Sequence, residues 1–197
     1  MRKKIFIGTF FVGIAFAFSG PDKLVNKPLP SFTGKTIGGK AIDSSFFLNK
    51  VTLIDFMYIG CPPCMREMKQ LIKLNKENTN SSFQILGISS NTEQQLIDFN
   101  SDNSSLYSQA RKNAKLDSVE YFLMPECDVE TPTKNSSYLG PKCNTISKNF
   151  KVSSYPQTFL VDKKGIIRYA FTGYVSPQDE EAFTQQLKDE IAKLLKE

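Results

Sequence analysis

The stretch VTLIDFMYIGCPPCMRE, residues 51–67, decides the fold class of this chain. Residues 51–58 are almost all apolar over the length of a strand, which is typical of a central strand covered on both faces. From Cys64 onward, apolar side chains recur at the period of an amphipathic helix. A core strand that leads directly into a helix predicts an α/β domain, and Cys61 and Cys64 lie at the junction. The apolar positions of this helix are Met68, Leu71 and Ile72.

Three further segments extend this unit into a mixed sheet flanked by helices. Residues 83–88 predict a second core strand. Residues 92–99 predict a short helix that is capped by Asn91. Residues 158–171 predict an antiparallel hairpin whose turn ends at a glycine.

The end and the middle of the chain complete one domain, which we predict to span residues 20–197. A closing helix is predicted, with Ser176 as its cap and Pro177 at its first position. Residues around 100–145 are rich in Ser, Asn, Lys and Pro, and they predict a polar insertion. Its apolar cluster at 119–124 predicts a short strand or helix. The apolar face of the closing helix consists of Phe183, Leu187, Ile191 and Leu194.

Residues 1–19 carry the three-part pattern of a secretory signal peptide. Residues 2–4 are cationic, residues 5–18 are apolar, and small residues stand where a signal peptidase reads. The apolar run is short for a permanent membrane span, and an uncleaved segment that tethers the protein to the membrane is the alternative. We therefore expect an exported protein of the periplasm or cell envelope, where disulfides are stable.

Charge and composition exclude several classes of function. The formal net charge is +5, and removal of the three cations in residues 2–4 lowers it to +2. Such a small excess, without a basic stripe, argues against a nucleic-acid partner. The chain has no histidine, which excludes a Ser-His-Asp triad, a Cys-His nucleophile and a His-ligated zinc or haem. The four cysteines are therefore the candidate reactive groups.

Cys61 and Cys64, separated by two prolines, are spaced for thiol–disulfide exchange. At the start of a helix, free backbone N–H groups and the helix dipole favour the thiolate of Cys61. Cys64 can close a disulfide with it and can resolve a mixed disulfide on Cys61. Two alternatives stay open here. One is half of a zinc site, although Cys127 and Cys143 provide no second close pair, and the other is a purely structural disulfide.

Two acidic residues strengthen the redox interpretation. Asp55 interrupts the apolar strand, where loss of solvent would raise its pKa and let it exchange a proton with the resolving cysteine. The alternative is an outward-facing strand residue. Glu67 follows Cys64 by three residues, so it lies on the cysteine side of the helix. Its alternative is a first-turn acid that the helix dipole favours.

Three segments resemble the thioredoxin-like superfamily, and most closely its exported branch of TlpA/ResA-type thiol–disulfide oxidoreductases. They are LIDFMYIGCPPCMRE (residues 53–67), YPQTFLVDKKGII (155–167) and PLPSFTGKTIGGKAI (28–42). The resemblance implies a thioredoxin-like α/β fold with a central mixed β-sheet flanked by helices. It also implies an N-terminal β-hairpin extension and an insertion before the strand that follows Pro156.

The resemblance implies roles for four residues. Cys61 is the expected nucleophile and Cys64 the expected resolving thiol. Pro156 matches the family's cis-proline, which helps to dock the substrate backbone, and Tyr155 occupies the preceding position, which touches the substrate. A trans-proline that opens an edge strand is the alternative for Pro156.

The acids and two departures from the family pattern complete the comparison. Asp55 matches the buried acid of cytosolic thioredoxins and Glu67 matches the acid typical of the ResA type, so this chain combines both. Gly60 stands where a tryptophan usually precedes the first cysteine, and Lys69 replaces the proline that usually kinks the helix. These two departures leave the reduction potential and the partner surface open.

Cys127 and Cys143 fall outside the core pattern of the superfamily. They flank a polar loop that contains proline, so we predict a structural disulfide that closes this loop. The alternative is a second redox pair that relays electrons to Cys61.

The function expected from these features is that of an exported disulfide reductase. The resemblance implies that it keeps selected protein thiols reduced, as the TlpA/ResA-type relatives do for apocytochrome c. Its partners would be protein thiols and disulfides and a membrane or periplasmic electron donor, and we expect a monomer without cofactor or metal. A disulfide oxidase or isomerase is the first alternative, because the reduction potential sets the direction of exchange. A copper metallochaperone, with Met57 and Met65 beside the cysteines, is a weaker one. A peroxidase is disfavoured because no Thr or Ser precedes Cys61 at the required spacing.

Overall fold

The described residues form seven strands and six α-helices that are interspersed along the chain. This computed structural model describes residues 21–78, 80–127, 145–172, 176, 178 and 180–197. The strands are β1 (Gly34–Lys35), β2 (Ala41–Ile42), β3 (Val51–Met57), β4 (Phe83–Thr92), β5 (Phe122–Cys127), β6 (Gln157–Val161) and β7 (Ile167–Thr172). The helices are α1 (Ser44–Phe47), α2 (Pro62–Glu77), α3 (Glu93–Asn100), α4 (Leu106–Asn113), α5 (Thr145–Asn149) and α6 (Glu180–Lys196).

β3 lies at the centre of a five-stranded mixed sheet of order β5-β4-β3-β6-β7. It pairs in parallel with β4 and antiparallel with β6, and the predicted hairpin is formed by β6 and β7. All seven residues of β3 are buried, because helices cover both faces of the sheet. The predicted thioredoxin-like α/β fold, with its central mixed sheet between helices, is confirmed.

Successive residues of β3 face two different apolar layers, as the period of two in a strand requires. Leu53 and Met57 lie in the layer that α2, α3 and α6 cover, whereas Ile54 and Phe56 lie in the layer that α1 and α5 cover. Asp55 therefore projects toward the side of α2 and α6. The predicted apolar face of α6 is buried at Leu187, Ile191 and Leu194, and Phe183 packs half-buried against the same layer.

The predicted N-terminal β-hairpin is present as the antiparallel pair of β1 and β2. It packs on the edge strand β5, where the Ile37 N–H donates to the Leu123 carbonyl at 2.9 Å. A Cβ added to Gly34 would lie 2.4 Å from the sulfur of Met124, so a larger residue there would require the Met124 side chain to shift. Among the described residues, no helix is both long and apolar enough to cross a bilayer. The predicted signal peptide, residues 1–19, lies outside the described residues.

Several boundaries differ from the prediction. The cap of α3 is Thr92, whose side chain accepts from the Gln95 N–H, and not Asn91. Asn91 is instead buried inside the end of β4. The closing helix begins at Glu180, with two acidic residues in its first turn where the helix dipole favours them. Ser176 therefore does not directly precede it, and Pro177 lies outside the described residues.

The middle of the chain contains more regular structure than the sequence predicts. The apolar cluster at 119–124 leads into β5, which pairs in parallel with β4 and belongs to the central sheet. The predicted short strand is therefore present, and residues 122–127 belong to the central sheet although they fall within the range of the predicted polar insertion. Helix α4 was not predicted because its eight residues, LYSQARKN, are mostly polar. Residues 128–144 lie outside the described residues.

Candidate active site

The cysteine pair lies at the start of α2, after the short loop that follows β3. Cys61 is the N-cap of α2 and forms a disulfide with Cys64, with the two Sγ atoms 2.01 Å apart. The Cys64 N–H also points at the Cys61 Sγ, at 3.2 Å. An N–H group at this distance, together with the dipole of α2, would stabilise a thiolate on Cys61 after reduction. The disulfide is thus placed for exchange chemistry and not only for stability.

The residue before Cys61 is a glycine in a backbone conformation that favours glycine. Gly60 has φ of +93°, which is a conformation that other residues rarely adopt. No atom lies within 4 Å of the position that a Cβ would take. The departure from the family tryptophan at this position is therefore built into the backbone, and it leaves open space beside the disulfide.

The Tyr155–Pro156 peptide bond is cis, so the expected cis-proline is confirmed and the trans alternative is wrong. Pro156 lines one cleft together with Pro63 and Glu67 of α2 and Phe183 of α6. The structure therefore brings the proline motif next to the start of α2, although about 90 residues separate them. The Tyr155 ring packs edge-on against the Tyr58 ring, with centroids 5.5 Å apart. Tyr58 lies in the loop between β3 and the cysteines.

Asp55 is fully buried in β3, and the alternative of an outward-facing residue is wrong. Among the described residues, neither of its carboxyl oxygens has a hydrogen-bond partner. Loss of solvent, and secondarily the charge of Glu67, raises the pKa of Asp55 well above its usual range. A carboxyl group in this environment is held protonated at a pH where an exposed one is ionised.

Glu67 is the partner of Asp55 across the interface between α2 and the sheet. Burial raises the pKa of Glu67 to about 7, although a hydrogen bond that the Thr158 hydroxyl donates opposes this rise. Thr158 is the direct neighbour of Asp55 in the register of β6 and β3. Glu67 therefore lies between Thr158 and the cleft beside Pro156. Helix α2 has no acidic residue in its first turn, so the alternative of a first-turn acid is wrong.

Asn91 and Thr158 are site residues that sequence reasoning missed. The Asn91 Oδ1 accepts from the Ile59 N–H at 2.7 Å and from the Ser89 hydroxyl at 3.0 Å, and its amide donates to Gln95. Asn91 thereby ties β4 to the loop two residues before Cys61. The sequence carries no signal for this contact, because 32 residues separate the two partners.

The second cysteine pair is only half within the described part of the chain. Cys127 ends β5, and Cys143 lies outside the described residues. The disulfide between Cys127 and Cys143 therefore stays a prediction.

A cysteine disulfide at the start of the helix that follows the central strand, in a thioredoxin-like sheet, places the protein among the thiol–disulfide oxidoreductases. More specifically, the chain belongs to the AhpC/TSA family, which matches residues 25–170. This match includes both the cysteine pair and the cis-proline.

Solved structures share the fold at low sequence identity. A Chlorobium tepidum protein assigned as the thiol:disulfide interchange protein DsbE is 16% identical with a TM-score of 0.59, over 85% of this chain and 97% of that one. The thioredoxin domain of a Bacteroides vulgatus thiol-disulfide oxidoreductase is 17% identical with a TM-score of 0.56, over 85% and 97%. A secreted Mycobacterium tuberculosis disulfide oxidoreductase is 15% identical with a TM-score of 0.53, over 83% and 96%. Among curated proteins, none matches this sequence.

Proposed function

We propose that this protein is an exported thiol–disulfide oxidoreductase that reduces disulfides in client proteins. The observation that carries the proposal is the placement of the Cys61–Cys64 disulfide at the amino end of α2, near the cis-proline, the buried Asp55 and the half-buried Glu67. This arrangement supplies a stabilised thiolate, a docking edge and a proton acceptor. Those are the three requirements of repeated disulfide exchange.

The proposed cycle starts from the reduced protein. The Cys61 thiolate attacks one sulfur of a client disulfide, so a mixed disulfide forms and the first client thiolate leaves. Cys64 then loses its proton and attacks the Cys61 Sγ, which breaks the mixed disulfide and releases the second client thiolate. The client gains two electrons and Cys61–Cys64 becomes a disulfide again. A dithiol donor restores the reduced form by the reverse exchange.

Glu67 and Asp55 are the proposed acceptors of the Cys64 proton. A free cysteine thiol has a pKa of about 8.5, and an acceptor works best when its own pKa is not far below that value. With a pKa of about 7, Glu67 meets this condition far better than an exposed glutamate does. Asp55, which interacts electrostatically with Glu67, would share the proton with it.

Tyr155 and Pro156 form the proposed docking edge for the client backbone. Pro156 has no N–H group and precedes β6, and the cleft beside it reaches Pro63 and Glu67. An extended client segment could therefore lie along this edge with its disulfide above Cys61. The open space at Gly60 would admit its backbone on the other side of the disulfide.

Export, the electron donor and the client are further parts of the proposal. The signal-like residues 1–19 and the secreted relative support a location outside the cytosol. There, the dithiol needs a donor, and we propose a membrane or periplasmic one. A role in cytochrome c maturation, by reduction of an apocytochrome disulfide to two thiols, is the client assignment that the ResA-like Glu67 favours.

The reduction potential of Cys61–Cys64 tests the direction of exchange. The measurement uses the protein without residues 1–19, with Cys127 and Cys143 replaced by serine, equilibrated against thiol buffers and followed by thiol alkylation. We expect a reduction potential of about −230 mV or lower, which is that of a reductant. A value near about −120 mV is that of a strong oxidant. The second result would overturn the reductase assignment and favour the oxidase.

A further inference from the structure

A row of four side-chain positions crosses the sheet on the face that α2 and α6 cover. Thr158 of β6 lies opposite Asp55 of β3, Asp55 lies opposite Gly87 of β4, and Gly87 lies opposite Leu123 of β5. Residues that pair in register project from the same face of a sheet. Asp55 therefore has the Thr158 hydroxyl on one side and, at Gly87, a position without a side chain on the other.

The ring of Tyr121 occupies the space over Gly87. A Cβ added at Gly87 would lie 3.3 Å from the Tyr121 Cε2 atom and 2.9 Å from the Leu123 Cδ2 atom. The glycine thus leaves room for the Tyr121 ring over the strand position that pairs with Asp55. Tyr121 is 7% exposed and belongs to the same apolar cluster as Cys61 and Cys64.

This layer contains three buried oxygen atoms that have no hydrogen-bond partner among the described residues. Among the described residues, the hydroxyl of Tyr121 and both carboxyl oxygens of Asp55 are buried and make no hydrogen bond. Buried polar atoms are nearly always paired, either with protein groups or with an ordered water. The Tyr121 hydroxyl can donate and the two Asp55 oxygens can accept, and the two groups are close enough to interact electrostatically, so one water molecule could join them.

We propose that Tyr121 and Asp55 hold one buried water molecule between them, and that Tyr121 is through this water a positioning residue for the proton exchanged with Cys64. The water would accept a hydrogen bond from the Tyr121 hydroxyl and donate one to the Asp55 carboxylate. This arrangement stabilises the ionised form of Asp55 without changing the covalent chemistry. The role in exchange rests on the proposed function, whereas the water site itself does not.

The charges around Tyr121 keep it a donor. Burial, and then the charges of Asp55 and Glu67, raises the pKa of its hydroxyl well above the usual range, so it stays protonated. Tyr58, Tyr155 and Tyr169 also pack half-buried against this layer, and the other ionisable groups near it lie on α4. The Arg111 guanidinium there is committed to the carbonyls of Phe99, Ser101 and Leu116 and to the Asp102 carboxylate. Tyr107 also packs at the edge of the layer. The buried side chains of α2, α3 and α6 are apolar apart from Cys64, and the half-buried Glu67 is the acid of α2 that interacts with Tyr121.

Replacing Tyr121 with phenylalanine tests this inference without a substrate. Carboxyl-labelled aspartate in the oxidised protein is followed by ¹³C NMR from pH 5 to pH 10. The Tyr121→Phe variant removes the donor, so the ionisation constant of Asp55 is expected to fall by about threefold or more, which moves its titration to higher pH. Tyr169→Phe, which loses a hydroxyl bonded to Glu190 away from the cysteines, is the matched control and should leave the Asp55 titration unchanged.

Two results would overturn the inference. One is an Asp55 titration that is the same in Tyr121→Phe and in the unchanged protein. The other is a high-resolution crystal structure of the unchanged protein with no water between the Tyr121 hydroxyl and the Asp55 carboxyl group, a result that does not depend on any variant folding. The pH profile of release of the second client thiol should move upward together with the titration. If the titration moves while no client is reduced at any pH, then the proposed function fails and the water site stands.

Discussion

Replacing Cys64 with serine should stop turnover and leave Cys61 joined to a client cysteine in a stable mixed disulfide. Cys61 remains the N-cap of α2 and can still attack, but no second thiol is left to break the bond that it forms. We expect multiple-turnover reduction of a disulfide-bonded protein to fall on the order of 1,000-fold or more. Mass spectrometry of the non-reduced protein should show one client molecule per chain, attached at Cys61.

Two matched variants make this result specific. Cys61→Ser should lose activity to the same extent but form no adduct, because the attacking sulfur is gone. The double variant Cys127→Ser, Cys143→Ser should keep its activity if that pair is structural. Normal turnover in Cys64→Ser, or an adduct on Cys127, would contradict the assignment of nucleophile and resolving thiol.

The second large effect is a loss of stability as pH rises. The pKa of Glu67 is about 7 in the folded protein and near its ordinary value of 4.5 in the unfolded chain. Between these two values the folded protein holds a proton that the unfolded chain has lost, so unfolding becomes easier as pH rises. The stabilisation is complete below about pH 4.5 and is lost as pH rises through about 7. The shift corresponds to about 3 kcal/mol, and ionisation of Asp55 would add to it at higher pH.

Urea unfolding of the oxidised protein at pH 5, 7 and 9 measures this loss. In Glu67→Gln the free energy of unfolding should fall much less between pH 5 and pH 9, because no carboxyl group remains at this position to ionise. Glu77→Gln, on the exposed end of the same helix, is the control. The pKa of Glu77 is lowered by its hydrogen bond with Lys188, so this variant should keep the decline above pH 5. An equal decline in the unchanged protein and in Glu67→Gln would contradict the account of the buried pair.

The parts of the site that local sequence determines could be predicted. The apolar run of β3 predicts a strand buried on both faces, and a polar residue inside such a run is buried with it, as Asp55 is. The pair Cys61 and Cys64 follows that strand by a short loop, so it falls at the start of α2. The cis conformation of Pro156 was available only through the resemblance to a known family, because an X-Pro sequence alone favours trans.

The parts that depend on tertiary pairing could not be predicted. Thr158 reaches Glu67 across 91 positions of the chain, and Asn91 reaches the loop before Cys61 across 32. The Tyr121 ring can lie over the strand position that pairs with Asp55 because that position is Gly87. Until the register of the sheet is known, nothing distinguishes these residues from other loop and strand residues.

The most direct test of the central claim is a count of disulfides exchanged. The protein with Cys127 and Cys143 replaced by serine is fully reduced, freed of reductant and mixed with an excess of a disulfide-bonded client protein. Thiols are alkylated at intervals, and the number of alkylated thiols on each protein is determined by mass spectrometry. The account predicts that each Cys61–Cys64 disulfide formed is matched by one client disulfide reduced, through a transient adduct on Cys61. Formation of the Cys61–Cys64 disulfide without any new client thiols, or no reaction at all, would contradict it.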